Sequence, residues 1–162
     1  MPTPRHWTTP RLLVGVALFF SLAGPLLADL VIPDVAALHL HNPAWPPHAK
    51  FHDAQYIVMS FLLALLGFAT LRRRGGDRRR QFQLAAGLAS VTWLGMFGAL
   101  LFPGTGVIDP EFAADNQPIL GLDAQLFIAV VMLLCVGAAL TIERLVPGAR
   151  IDPAAPIGEH GD

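Results

Sequence analysis

The clearest fold signal lies in residues 122–142, LDAQLFIAVVMLLCVGAALTI, where Asp123 is the only charged residue. A helix of about 20 apolar residues is long enough to cross the hydrocarbon core of a bilayer. Three further apolar blocks occur at about 12–32, 52–71 and 82–102, and none alternates as a barrel strand would. We therefore predict an all-α integral membrane four-helix bundle. Residues 1–162 are expected to form a single transmembrane domain, with short tails at 1–11 and 144–162.

The composition of the chain agrees with a membrane protein. Hydrophobic residues make up 54% and charged residues 14% of the sequence, whereas soluble domains carry roughly 25% charged residues. The mean hydropathy is +0.53, which argues against a disordered chain, a nucleic-acid-binding protein or an ordinary soluble enzyme. The single cysteine, Cys135, cannot form an internal disulfide.

Basic residues predict the orientation of the four helices. Six arginines lie between the second and third blocks, within residues 72–80. An even number of spans puts both chain ends on the same side as this loop. Ten of the eleven basic residues then share that side, and only Lys50 lies opposite. Because cytoplasmic flanks are enriched in Lys and Arg, we predict that both termini and the Arg72–Arg80 loop are cytosolic. The arginines are interpreted as topogenic, and no nucleic-acid partner is expected.

The N-terminal block has two interpretations. Arg5 and Arg11 precede an apolar stretch that ends in small residues, as in a cleaved signal peptide. A retained helix is favoured, because Leu26 would occupy a cleavage position that needs a small residue and the apolar character continues to Ile32. Pro25 is predicted to kink this helix.

The first external segment concentrates histidines near the start of the second span. Four of the six histidines lie within residues 39–52, and Pro46 and Pro47 suit the first turn of a helix. His48 and His52 are four residues apart and therefore share a helix face, which Gln55 continues. Because polar groups are costly in a membrane unless partnered, this face is a candidate site.

Several roles stay open for these residues. The candidate catalytic residues are His48, His52, Asp53 and Asp123. The candidate ligand-binding residues are Trp45, His48, His52, Gln55 and Gln125. No cofactor is identified, although His39, His41, His48 and His52 are candidate ligands for a divalent metal. The alternatives are a hydrogen-bonded network that holds the external loops, interfacial anchoring by Trp45 and Tyr56, and an N-terminal helix cap at Asp123.

Residues 42–52, NPAWPPHAKFH, resemble an NPxWPPHAxFH signature of small, mostly uncharacterised four-helix membrane proteins. The general hydrophobic layout is similar to that of DoxX-like proteins. This resemblance implies a compact membrane bundle with Trp45, His48 and His52 as characteristic positions, and no established reaction. A looser similarity is to bundles of the sterol-isomerase and sigma-2-receptor type, although this sequence has no acidic pair in the middle of a helix.

Two functional classes remain from the sequence. The first is a ligand-binding or accessory bundle with a histidine-rich polar site on its non-cytosolic side. The alternative is a membrane-embedded enzyme, of proton-transfer or metal-dependent type, that acts on a lipophilic substrate. The expected partners are the lipid bilayer, a lipophilic small molecule, and another membrane protein or a second copy of the chain.

Overall fold

The computed structural model describes residues 8–145, which form five α-helices and no strand. The helices are α1 (Thr8–Leu26), α2 (Pro33–Ala36), α3 (Pro47–Arg72), α4 (Arg78–Ala99) and α5 (Ala124–Leu145). Four segments are long and apolar enough to cross a membrane: α1 with its continuation to Val31, α3, α4 and α5. The prediction of an all-helical chain with four candidate membrane spans is therefore confirmed.

Two spans begin earlier than their apolar blocks. We placed the starts of these blocks at about residues 52 and 82, but α3 begins at Pro47 and α4 at Arg78. A proline costs little in a first turn, where its missing N–H would have no helical partner. The Asp77 carboxylate caps α4 by accepting hydrogen bonds from the backbone N–H groups of Arg79 and Arg80, at 2.9 and 3.1 Å. Helical structure thus extends beyond the purely apolar residues at these points.

The other span bounds differ by a few residues. The first span begins at Thr8 and not near residue 12, the third ends at Ala99 and not near residue 102, and the fourth covers Ala124–Leu145. The predicted tails at 1–11 and 144–162 lie largely outside the described residues, together with Arg5 and Arg150.

A wide helical turn follows the proline of the first span. Pro25 lies inside α1, and Leu27–Val31 continue it as a π-helix in which the N–H of Ile32 donates to the carbonyl of Leu27 at 2.8 Å. Proline removes one regular backbone hydrogen bond, and the backbone is free to widen beyond it. The turn carries Asp29, which is buried.

The four spans surround a core that is best packed toward the arginine loop. Contacts run from α1 to α3, from α3 to α4, from α4 to α5 and from α5 back to α1. The core includes Val14, Leu18, Phe82 and Val136. Gly67 of α3 packs against the Leu18 side chain so closely that an added methyl group would overlap it. Small residues of this kind allow membrane helices to approach each other.

Polar contacts tie the helices together at the same end of the bundle. Arg79 Nε lies 2.8 Å from the Glu143 carboxylate, which is 1% exposed. The Arg11 guanidinium donates to the backbone carbonyl of Leu71. These contacts join α4 to α5 and α1 to α3. The buried Glu143 carboxylate at this end has Arg79 as its charged partner.

Candidate functional site

A cavity of about 920 Å³ opens between the four spans at the end opposite the arginine loop. The end of α1, the start of α3, the end of α4 and the start of α5 all contribute to it. The loop between α4 and α5 covers it with residues 106–109, Phe112 and Asn116. Most of the lining is apolar, and besides two tryptophans, twelve lining residues on different elements carry polar side chains. This is the usual composition of a site for a small organic molecule.

Asp29 and His39 contact each other at the edge of this cavity. His39 Nδ1 lies 3.3 Å from Asp29 Oδ1 and 2.9 Å from the backbone oxygen of Val35. Because a carbonyl oxygen only accepts hydrogen bonds, Nδ1 carries the hydrogen and Nε2 carries the lone pair in the neutral ring. The wide turn after Pro25 and the short helix α2 bring the two side chains together. The pair thus has an imidazole held in a defined tautomer.

Asp53 and Tyr56 of α3 extend the polar group. Asp53 lies near enough to Asp29 and His39 to interact electrostatically with both. The Tyr56 hydroxyl lies close to Ser60, whose hydroxyl accepts a hydrogen bond from Thr92 at 3.5 Å. We refer to Asp29, His39, Asp53 and Tyr56 as the outer polar cluster. It places two carboxylates and one imidazole against an apolar cavity.

Two buried polar atoms at the cavity are left without a hydrogen bond. Within residues 8–145, neither Asp53 Oδ2 nor Trp93 Nε1 has a hydrogen-bond partner, and both residues line the cavity. A buried polar group costs free energy unless it is hydrogen-bonded. Water or a bound molecule that reaches these atoms after a small side-chain movement would remove that cost.

The loop before α3 and the loop before α5 are joined beside the cavity by hydrogen bonds. Trp45 Nε1 donates to Asp109 at 3.2 Å, and the buried Asn42 side chain donates to Glu111 at 3.3 Å. Each bond links the loop before α3 to the loop before α5. This is the loop-holding network that the sequence left open, but Asn42 and Trp45 supply its donors and the histidines do not.

The start of α5 contributes two of the predicted residues. Asp123 lines the cavity, and its carboxylate accepts a hydrogen bond from the backbone N–H of Gln125 at 3.0 Å. That bond is the N-terminal cap given above as an alternative. The Gln125 side chain also lines the cavity and donates to the backbone oxygen of Val107 at 2.6 Å. Both side chains therefore hold the cavity wall in place.

The four histidines within residues 39–52 lie in different environments. His39 lies in the outer polar cluster, and His52 lines the cavity. His48 and His52 are exposed, with their Nε2 atoms 3.0 Å apart, and His52 Nδ1 lies 3.3 Å from Gln55 Oε1. His41 is exposed and does not line the cavity. Within residues 8–145, no three His, Cys, Asp or Glu side chains are grouped to hold a metal ion, so the four histidines do not form one shared site.

The sequence missed part of the cavity lining. Tyr56 was interpreted as an interfacial anchor, and neither Trp93 nor Asp29 was among the candidate site residues. Asp29 carried a usable signal, because a carboxylate inside an apolar block is expensive and is usually functional. Trp93 gave no such signal, since nothing in an apolar helix indicates that an indole N–H is left without a partner.

A family model now places the chain among related sequences. Residues 14–150 match DUF6640, a family of unknown function. The chain belongs to this family. The DUF6640 match includes the outer polar cluster, the loops before α3 and before α5, and nearly all of the four spans. No curated protein and no solved structure matches the chain.

Proposed function

We propose that this DUF6640 protein is a membrane protein that binds a small lipophilic molecule in the cavity between its four spans. The observation that carries the proposal is the cavity of about 920 Å³, whose mostly apolar lining ends at the outer polar cluster. Sites for small organic molecules usually have volumes of about 300–1,000 Å³ and a few convergent polar groups. The apolar part of the ligand would lie among the helices.

The chemistry expected at the polar end of the ligand follows from the side chains that it would contact. Asp29 and Asp53 are hydrogen-bond acceptors when ionised, and Asp53 has an oxygen without a partner. A ligand with a hydroxyl or another donor at one end would therefore place that end at the outer polar cluster. A purely apolar ligand could not hydrogen-bond to the Asp53 oxygen, so the free-energy cost of burying that oxygen without a partner would remain.

Native mass spectrometry of the purified protein, released from detergent micelles, tests this function. We expect a population of the wild-type chain that retains one organic molecule and loses it on collisional activation. Extraction and analysis of that molecule should give an apolar body with a polar end. Protein that stays free of such a molecule, even after incubation with a lipid extract, would contradict the proposal.

A second candidate function is proton transfer on the bound molecule, and one contact favours it. Asp29 and the Val35 carbonyl hold His39 Nδ1–H, which leaves Nε2 to accept a proton from a ligand. Under this function, His39→Gln would retain the ligand but abolish incorporation of deuterium from D₂O into it. Equal incorporation in wild-type and His39→Gln protein would exclude a role for this residue.

The orientation of the bundle is part of the proposal. We place both termini and the Arg72–Arg80 loop in the cytosol, which puts the cavity at the non-cytosolic end. A cysteine introduced at Gly76 should be protected from an impermeant thiol reagent in intact cells, while one at Asp115 should react. The reverse labelling pattern would invert the orientation.

The finer family features also belong to the proposal. We propose that residues 42–52 are a signature of this family, since Asn42 and Trp45 join the external loops. A collection of DUF6640 sequences that lacks these positions would contradict it. The DoxX-like layout, and association with another membrane protein or a second copy, remain predictions.

A further inference from the structure

The two exposed histidines at the start of α3 have a geometry that the proposed ligand site does not use. His48 Nε2 and His52 Nε2 are 3.0 Å apart, one helical turn from each other. Two neutral imidazoles form a hydrogen bond at this distance when one nitrogen donates and the other accepts. Two imidazole nitrogens also approach this closely when both bind one metal ion.

The measured separation fits one class of metal geometry. Metal–nitrogen bonds of about 2.0–2.1 Å with nitrogens 3.0 Å apart enclose an angle of about 95° at the metal. That angle is close to the right angle between neighbouring ligands of a square-planar ion and well below the tetrahedral angle. Square-planar coordination by nitrogen is typical of Cu²⁺ and Ni²⁺.

A third side chain fixes one of the two rings. Gln55 Oε1 lies 3.3 Å from His52 Nδ1, so that nitrogen donates and Nε2 carries the lone pair. Metal-binding histidines are commonly held in this way by a second hydrogen bond on the other ring nitrogen. The Phe51 ring lies nearly parallel to the His48 ring, with an interplanar angle of 5° and 6.3 Å between centroids. Both imidazoles therefore have neighbours that restrict their orientation.

The position of the pair leaves room for the remaining ligands. The 26 residues of α3 extend over about 39 Å, about 9 Å more than a hydrocarbon core. His48 and His52 lie within its first two turns and are exposed. Water can complete the coordination, and no third His, Cys, Asp or Glu is grouped with the pair in residues 8–145.

We propose that His48 and His52 form an exposed two-histidine site for a divalent transition-metal ion, with Cu²⁺ as the preferred ion. Among first-row divalent ions, Cu²⁺ binds nitrogen ligands most strongly. When the ion binds, His48 takes the tautomer with its hydrogen on Nδ1, and both Nε2 lone pairs face the metal. Acid weakens the site, because imidazole must be neutral to bind a metal.

Electron paramagnetic resonance of the full-length protein in detergent tests the site with Cu²⁺ alone. At one equivalent of Cu²⁺, we expect a square-planar spectrum with hyperfine splitting from two imidazole nitrogens. His48→Ala and His52→Ala should each remove that signal and weaken Cu²⁺ binding more than about tenfold. Gln55→Leu should keep both nitrogens and weaken binding by about tenfold, because it removes only the hydrogen bond that orients His52.

The matched control is His41→Ala, which removes another exposed histidine from the same external segment. It should leave the signal and the affinity unchanged, and far-ultraviolet circular dichroism should show the same helix content in all variants. Identical Cu²⁺ spectra for wild type, His48→Ala and His52→Ala would overturn the proposal. Loss of the signal in His41→Ala alone would also overturn it, because the metal would then lie elsewhere.

Discussion

The two ends of the bundle differ in their packing and in the charged partners of their buried carboxylates. At the arginine end, the helices pack closely at Gly67, and the buried Glu143 carboxylate lies 2.8 Å from Arg79 Nε, although neither of its oxygens has a hydrogen bond within residues 8–145. At the other end, two carboxylates share one imidazole beside a cavity of about 920 Å³, and Asp53 keeps a buried oxygen without a partner. The comparison indicates that close packing and an ion pair stabilise one end of the bundle, while the other end holds the cavity on which the proposed function rests.

The largest expected effect comes from breaking the ion pair at the packed end. Arg79→Ala leaves Glu143 buried without its charged partner, and because Arg79 itself is 48% exposed, the cost should lie near the lower end of the about 3–5 kcal/mol typical of buried pairs. We predict a loss of this size in the free energy of unfolding, measured by denaturant titration in mixed micelles. The control is Arg80→Ala, whose pair with Asp77 is exposed and should contribute less than about 1 kcal/mol. Equal losses in the two variants would show that the buried pair does not stabilise the fold.

The same substitution at two glycines compares the packing of the two ends. Gly67→Ala places a methyl group against Leu18, and overpacking of this kind costs about 1–3 kcal/mol. Gly24→Ala meets no atom within 4 Å and lies on the cavity wall. Alanine favours a helix over glycine by up to about 1 kcal/mol, but a Cβ directly before Pro25 is disfavoured in helical backbone, so Gly24→Ala should be close to neutral. Thermal unfolding of both variants in the same detergent measures the difference, and equal destabilisation by the two changes would argue against a difference in packing between the two ends.

The substitution Asp53→Asn distinguishes a role of Asp53 in the stability of the fold from a role in ligand binding. The substitution removes a charge whose buried oxygen has no hydrogen bond, so the free energy of unfolding should stay equal or rise by about 1 kcal/mol. Retention of the copurified molecule should fall, because the ligand loses an acceptor. Extraction and quantification of that molecule gives the readout. A strongly destabilised Asp53→Asn with unchanged retention would assign Asp53 to the fold and not to the site.

A smaller effect is expected from the hydrogen bond that joins the loop before α3 to the loop before α5. Trp45→Phe keeps an aromatic ring but loses the donor to Asp109, and such a bond typically contributes about 1 kcal/mol. We predict a modest fall in thermal stability and faster hydrogen exchange in residues 106–112. Unchanged exchange there would show that the loop is held by other contacts.

The apolar blocks predicted the four spans well, because membrane helices must be long and apolar wherever they occur. The polar residues at the start of α3 were also found from the sequence, since Pro46 and Pro47 fix where the helix begins. The site itself was harder to predict. Asp29 reaches His39 only because the π-helical turn after Pro25 redirects the chain, and no spacing rule encodes that turn.

The sequence could not assign roles to individual polar residues, because those roles depend on which helices pack against each other. The i, i+4 spacing correctly placed His48 and His52 side by side, but it did not show that His39 would be the histidine paired with a buried carboxylate. Likewise, the dense arginine loop indicated a side of the membrane, whereas the burial of Glu143 against Arg79 became visible only when α4 and α5 were packed together.

The most direct test of the central claim compares Gly24→Leu with Gly15→Leu, at two positions on α1 where an added Cβ would meet no atom within 4 Å outside its own stretch of helix. Gly24 lines the cavity and Gly15 does not, so only the first change should fill space that the ligand needs. The amount of lipophilic molecule that copurifies with each variant is measured by extraction and mass spectrometry. We predict that Gly24→Leu retains at least about tenfold less than wild type, a difference of about 1.4 kcal/mol in binding free energy, while Gly15→Leu retains the wild-type amount. Equal retention by both variants and wild type would contradict the claim that the hollow end of the bundle is a binding site.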